Sequence, residues 1–145
     1  ALSWDDENYY LITFSEKYND FTHYRVDRMT NIEIVDQPRV ILPDDEYFNI
    51  ADYTKKVFNM FGGAEEIVKI SFHNSLVNAV IDRFGKDITL EKVDENNFAV
   101  RINVAISSTF FAWIFQFGSK VKILSSEDVI KKYKCHLQDT IEQYE

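Results

Sequence analysis

One cysteine, two prolines and four glycines in 145 residues leave little for a cross-linked or loop-rich fold to be built from. Cys135 by itself can form no disulfide within the chain, so burial and hydrogen bonding must hold the core, as expected in a reducing compartment. No apolar run approaches the roughly 20 residues that a bilayer-spanning helix needs, and ALSWDDENYY at the start has neither the basic nor the apolar region of a secretory leader. The expectation is a cytoplasmic protein without membrane contact. Extended disorder is also disfavoured, because the chain has no block of five like charges and no polar low-complexity tract. Positive charge is scarce: sixteen Lys and Arg against 24 Asp and Glu give a net charge of −8. Residues 1–62 hold six against twelve (net −6) and residues 63–145 ten against twelve (net −2). Duplex DNA is held chiefly by clustered cations, so this chain alone is a poor duplex binder. A pocket of two or three cations would not be visible in the net charge.

What the chain does have is apolar and aromatic substance, 46% hydrophobic and 15% aromatic residues, enough for a core. NYYLITF (8–14) reads as a strand, and Asn19-Asp20 supplies turn chemistry before a second strand from Phe21 to Met29, a hairpin with a loop of about six residues. NIEIV (31–35) alternates Ile32 and Ile34 and predicts a third strand. Pro38 and Pro43 then bracket RVIL in a connector. Ile50, Tyr53, Val57, Met60 and Phe61 recur at helical spacing, a short amphipathic helix ended by Gly62-Gly63, where a domain boundary is expected.

Past that boundary EIVKISF alternates as a strand. Ser75 is placed to cap a helix with the apolar face Leu76, Val77, Val80, Ile81 and Phe84, closed by Gly85. DITLEKV and NFAVRINVAI predict two strands joined at residues 94–97. Ser107 or Ser108 caps a second helix, TFFAWIFQF, ended by Gly118, and KVKIL is a last strand. The order β-α-β-β-α-β is that of a ferredoxin-like unit. Ser125 with Asp128 opens a terminal helix whose apolar positions Ile130, Tyr133, Leu137, Ile141 and Tyr144 keep helical spacing. The fold class expected is α+β.

Little supports catalysis. His23, His73 and His136 lie at least 50 residues apart, and no HExxH, CxxC or GxSxG occurs, so neither a metal nor a cofactor is expected and the chain reads as no enzyme. Asp5-Asp6-Glu7 and Asp44-Asp45-Glu46 lack the spacing of a calcium loop and read as solvated loop charge. Cys135 beside Lys134 and His136 reads as a half-buried structural thiol before a reactive one. The second predicted helix is apolar nearly all round, so Phe110, Phe111, Trp113 and Phe115 exceed what one sheet can cover. Three covers stand open: the terminal helix, a second copy of the chain as a dimer interface, or a small-molecule pocket.

The one concentration of positive charge is FTHYRVDRM (21–29). Tyr24 and Val26 are expected inward, and a bulge near Asp27-Arg28 would bring His23, Arg25 and Arg28 onto one surface near Tyr9 or Tyr10, with Asp27 fixing one guanidinium. Forked cations beside aromatics suit phosphate and base recognition. The plain alternative is that each arginine pairs with a neighbouring carboxylate such as Asp20, Glu33 or Asp36.

Tyr9-Tyr10-Leu11, followed after a loop by Tyr24-Arg25-Val26-Asp27-Arg28-Met29, resembles the WYL domain, whose Trp-Tyr-Leu triplet precedes a Phe-Arg-Leu-Asp-Arg-Ile-like strand. DRFG (82–85), NFAVRINV, Trp113 in FFAWIFQFG and VKILSSEDVIKKY resemble the WCX extension that follows it. The likeness covers almost the whole chain in order, with Tyr9 in place of the tryptophan. It implies a partial Sm-like WYL barrel over residues 1–48, a linking helix over 49–62 and a ferredoxin-like WCX extension over 63–145. It implies the ligand-sensing, dimerising part of a bacterial transcription regulator, with a nucleotide or single-stranded nucleic acid engaged by Tyr10, His23, Tyr24, Arg25 and Arg28. Duplex DNA would be bound only through a helix-turn-helix domain, which with the first barrel strands is missing here, as in a fragment. The unfinished barrel predicts that the Tyr9–Phe14 or Ile32–Val35 edge is covered by a neighbouring chain or by RVIL. Two other readings stand beside this one: a structural oligomerisation module, and a small-molecule sensor of the ferredoxin-like type.

Overall fold

Two adjacent positive-φ residues, Asp6 and Glu7, turn the chain back on itself after its fifth residue and make the first hairpin. The computed structural model describes residues 1–38 and 48–145. Strands β1 (Leu2–Asp5), β2 (Asn8–Ser15) and β3 (Asp20–Arg25) form an antiparallel sheet in that order. The β2–β3 connection is four residues, Glu16 to Asn19, rather than six, and Asn19 takes the left-handed conformation it needs. The sequence reading missed β1, which covers the Tyr9 to Leu11 part of the β2 edge expected to seek a partner. The predicted strand at 31–35 does not form. After a 3₁₀ turn at Val26–Arg28 the chain runs on without regular structure, with Ile32, Ile34 and Val35 exposed. Alternation alone makes no strand where no neighbouring backbone completes its hydrogen bonds. The expected role of RVIL lies outside the described residues.

Helix α1 (Ile50–Lys56) is capped by the Asn49 side chain, which accepts from Ala51 N and Asp52 N. It ends five residues earlier than its apolar spacing predicts. Val57 is extended, and Asn59 and Met60 have φ of 48° and 57°, so the chain reverses and sets Phe58 opposite Phe61. Val57 and Met60 stay buried, in a small core with Ile12 and Ala105 to which Tyr10, Phe21, Phe48 and Tyr53 contribute. Burial sets the apolar spacing, and a buried turn meets the same demand as a helix stripe.

Residues 65–142 form β4 (Glu65–His73), α2 (Val77–Phe84), β5 (Glu91–Lys92), β6 (Asn97–Ala105), α3 (Ser108–Phe115), β7 (Val121–Ser125) and α4 (Glu127–Glu142). The four strands are antiparallel in the order β5-β6-β4-β7. The chain is thus α+β, with two antiparallel sheets and four α-helices among the described residues. Val68, Ile70 and Phe72 of β4 share one face with Val100, Ile102 and Val104 of β6, and α2, α3 and α4 close it. Three local expectations change. The predicted strand DITLEKV is reduced to Glu91–Lys92. The His73 side chain, not Ser75, caps the turn before α2, and Ser126, not Ser125, caps α4. Ser125 Oγ instead accepts from Lys69 N at 3.2 Å.

Helix α3 corrects the expected interface. Phe110 and Phe111 are buried, and Trp113 lies among Phe58, Phe72, Phe84 and Phe117 with ring centroids 5.0 to 6.1 Å away. Phe111 meets Tyr133 of α4 at 5.2 Å. The terminal helix and the 57–61 turn therefore supply the missing cover, and Phe115 alone of the four is exposed. Cys135, expected half-buried, is exposed on α4.

Residues 57–63 are fastened to the second unit from three sides. Arg83 Nη2 of α2 donates to the Val57 carbonyl at 2.7 Å, and its guanidinium lies 4.0 Å over the Phe58 ring. Thr109 Oγ1 of α3 donates to the Phe58 carbonyl at 2.8 Å. Gly63 fits because a Cβ there would run into the Ile106 carbonyl, while Ile106 N donates to the Ala64 carbonyl at 3.0 Å. Burial lowers the Arg83 pKa more than the Asp5 carboxylate restores it, as expected of a cation spent on a carbonyl and a ring. The glycine pair expected at a domain boundary sits in this seam.

Candidate functional site

A cavity of about 640 Å³ opens where β3 ends. Tyr10 of β2, His23, Tyr24 and Arg25 of β3, Arg28 of the 3₁₀ turn and Met29 form one side, and Asn59, Met60 and Phe61 form the other. All five residues expected to bind a ligand line it, but the geometry that brings them together is not the one expected. Tyr10 pairs with Arg25, Ile12 with His23 and Phe14 with Phe21. Directly opposed residues share a face in an antiparallel pair, so β3 turns Phe21 and His23 toward the core, and Tyr24, expected inward, is exposed. No bulge forms at Asp27-Arg28. The 3₁₀ turn at Val26–Arg28 carries Arg28 to the cavity instead.

The two arginines differ in electrostatic condition. Arg25 donates from Nε and Nη2 to the two carboxylate oxygens of Asp27, at 3.1 and 2.8 Å. This fork raises the Arg25 pKa and lowers that of Asp27, the hydrogen bond being the first cause of each shift. Asp27 thereby fixes the guanidinium plane. Among the described residues Arg28 has no carboxylate at ion-pair distance. Among the described residues the cavity therefore holds one cation braced by a carboxylate fork and one with no carboxylate at ion-pair distance, beside the Tyr10 and Tyr24 rings.

His23 is a bracket in the wall. Its Nε2 and Tyr53 Oη of α1 share a hydrogen bond of 2.8 Å. Burial lowers the His23 pKa, while the Met60 main chain and the Asp20 carboxylate pull weakly the other way. Burial, with Asp20 and Glu65, pushes Tyr53 up to about 12. Both are neutral at pH 7, and together they tie β3 to α1 and the opposite wall.

A lowered folded-state pKa means that the folded chain binds fewer protons than the unfolded one. The contribution of neutral His23 to stability is fully present above the ordinary value of 6.5 and is lost as pH falls from there through the lowered value. Thermal melts between pH 8 and pH 5, about three units apart, are expected to show the wild type losing more Tm than His23→Gln, which has nothing to protonate there. Equal losses in both proteins would remove this assignment.

Sequence reasoning missed Tyr53 and the Asn59-Met60-Phe61 wall, having read all of them as one helix. Asn59 was the available signal, since asparagine tolerates the left-handed conformation and favours turns over helix interiors. Met60 gains nothing of that kind; a left-handed β-carbon costs of order 1–2 kcal/mol, so burial of its side chain holds it there. Among the described residues no three His, Cys, Asp or Glu side chains come together as a metal site, and no helix is long and apolar enough to cross a membrane.

No protein-family model matches the chain, and no curated protein matches it in sequence. Among solved structures, proteasome accessory factor B/C (PafBC) of Arthrobacter aurescens is similar over 100% of this chain at 13% identity, with a TM-score of 0.46. The chain spans 22% of that protein's length.

Proposed function

We propose that the chain is the effector-sensing part of a WYL-type transcription regulator, without catalysis, and that the cavity at the end of β3 receives an anionic ligand, a nucleotide or short single-stranded nucleic acid. One observation carries the reading: Arg25 and Arg28 converge with Tyr10, His23 and Tyr24 on one open cavity, Arg28 without a carboxylate partner among the described residues. Arg28 meets a phosphate, Arg25 offers the donors that Asp27 leaves free, and an exposed Tyr24 ring accepts a base. A cavity of this size holds one nucleotide unit and not a long strand. The strand order β5-β6-β4-β7 supports a ferredoxin-like reading of residues 63–145 within a WCX-type extension. An Sm-like barrel has the support of three strands only among the described residues. In this reading the regulator works as a homodimer in the cytoplasm, reaches duplex DNA through another domain, and changes state because the ligand binds one dimer arrangement better than the other.

Nucleoside mono- and diphosphates and short single-stranded oligonucleotides, each titrated against the chain in a thermal melt, test the proposal. A ligand that binds the folded state raises Tm in proportion to RT ln(1 + [L]/Kd), and an excess of about 100 Kd adds about 2.7 kcal/mol. A flat Tm across both series, at low salt, would sink the anionic-effector reading.

A further inference from the structure

The far wall of the cavity is a strained turn shared between two cores. Val57 and Met60 pack in the small core with Ile12 and Ala105, while Phe58 between them packs in the large core of the four-stranded sheet. Asn59 and Met60 hold φ of 48° and 57°. Residues other than glycine keep such a backbone only where their surroundings fix it. The turn's own backbone supplies a bond from Phe61 N to the Phe58 carbonyl at 3.0 Å. Further bonds come from the second unit: Arg83 Nη2 donates to the Val57 carbonyl at 2.7 Å, and Thr109 Oγ1 to the Phe58 carbonyl at 2.8 Å. These are the two carbonyls immediately before the strained pair.

We infer that Arg83 is a positioning residue of the cavity: it does not line the cavity, but from α2 it sets the backbone that carries Asn59, Met60 and Phe61 into the wall. The guanidinium acts as a plate. Its Cζ lies 4.0 Å from the centroid of the Phe58 ring, while Nη2 reaches the carbonyl of the residue before. A planar fork can cover a ring and donate sideways at once, which the point charge of a lysine does with less fixed geometry. Arg83 Nε is buried without a hydrogen-bond partner. A buried donor left unpaired opposes folding, so the side chain is not placed to satisfy itself; its contacts with the turn account for its position. The Asp5 carboxylate at the end of β1 adds a longer-range attraction. The use of this arrangement in sensing rests on the anionic-effector reading, but the hold of Arg83 on the wall does not.

Nuclear magnetic resonance of the methionine methyls, labelled in the whole chain, tests the inference. The chain has two methionines, Met29 and Met60, and both line the cavity. Met60 packs with Tyr10, Phe21 and Tyr53, whose ring currents make its methyl shift a measure of its position. Arg83→Leu is expected to move the Met60 resonance. Arg83→Lys, which keeps a cation able to reach the Val57 carbonyl, is expected to leave it nearer the wild-type position. Thr109→Val removes the second donor with little change of shape and is expected to move the same resonance, which guards against a folding defect in Arg83→Leu. Val129→Ala truncates a buried side chain of α4, which makes neither bond, and is expected to leave the resonance in place. A Met60 resonance unmoved in both Arg83→Leu and Thr109→Val, or moved as far by Val129→Ala, would overturn the inference. Adenosine monophosphate titrated against the same samples is expected to show a higher Kd in Arg83→Leu than in the wild type, since a loosened wall is less preorganised. Absence of binding to the wild type would count against the effector reading alone, because the methyl shifts are measured without ligand.

Discussion

Converting Arg25 and Arg28 together to glutamine is expected to cut affinity for any nucleotide or oligonucleotide that shifts Tm by at least about 100-fold, with the melting temperature of the free protein little changed. Each guanidinium–phosphate hydrogen bond is charge-assisted, and such bonds contribute about 1.5–3 kcal/mol each. Two of them account for a factor of 100 at the lower limit, since about 1.4 kcal/mol is tenfold. The salt dependence should fall with the affinity: each phosphate contact on a single strand contributes roughly 0.7 to the slope of log K against log salt, so the double variant should lose about 1.4. The single variants should be unequal. Arg25 is already forked to Asp27, whereas Arg28 has no carboxylate partner among the described residues. Arg28→Gln is therefore the larger loss. Arg28 is exposed, so its substitution leaves folding within about 0.5 kcal/mol. Isothermal titration at two salt concentrations checks both quantities, and wild-type affinity in the double variant would remove the arginines from the site.

Phe110→Ala is expected to cost about 3–5 kcal/mol, against a total stability of about 5–15 kcal/mol for a domain of ordinary size. Phe110 has no exposed surface and touches Phe58 and Phe111, with centroids at 5.3 and 5.6 Å. Truncation opens a cavity that its neighbours, packed in the core of the four-stranded sheet and against α4, can close only in part. Phe115→Ala, five residues along the same helix, removes a ring that is 62% exposed and is expected to stay within about 0.5 kcal/mol. Urea denaturation of the two variants reads the difference. The contrast decides between core and interface: if Phe110→Ala left stability almost intact but dissociated a dimer, α3 would be a contact surface after all. The same logic extends to Trp113, whose ring is enclosed by four others.

Much of the second unit was legible because its signals do not compete. NFAVRINVAI alternates without interruption, and β6 spans Asn97–Ala105. Gly85 and Gly118 take positive φ where α2 and α3 give way to the next segment. The first unit was harder because equal apolar patterns had unequal fates. Ile32 and Ile34 alternate as well as Val68 and Ile70 do, yet only β4 has strands on both sides to bond. Val57, Met60 and Phe61 keep helical spacing in a turn, and LSWD, too short to show alternation, is β1 although no strand is expected there. In the site, the residue types were readable and their directions were not. His23 faces inward because Phe14 opposes Phe21, and opposition is a property of two segments at once.

The sequence by itself determined the α+β class, the order of elements after residue 63, the acidic balance, and the one segment where arginine and aromatic side chains are concentrated. Propensity, alternation and formal charge are local quantities and survive without coordinates. Only the tertiary structure decided that α4 covers Phe111, that the 57–61 turn forms the far wall of the cavity, and that Arg25 is braced while Arg28 has no carboxylate at ion-pair distance among the described residues. Each of these depends on which distant segments share a boundary. Burial is settled between surfaces, and no stretch of chain carries that information alone.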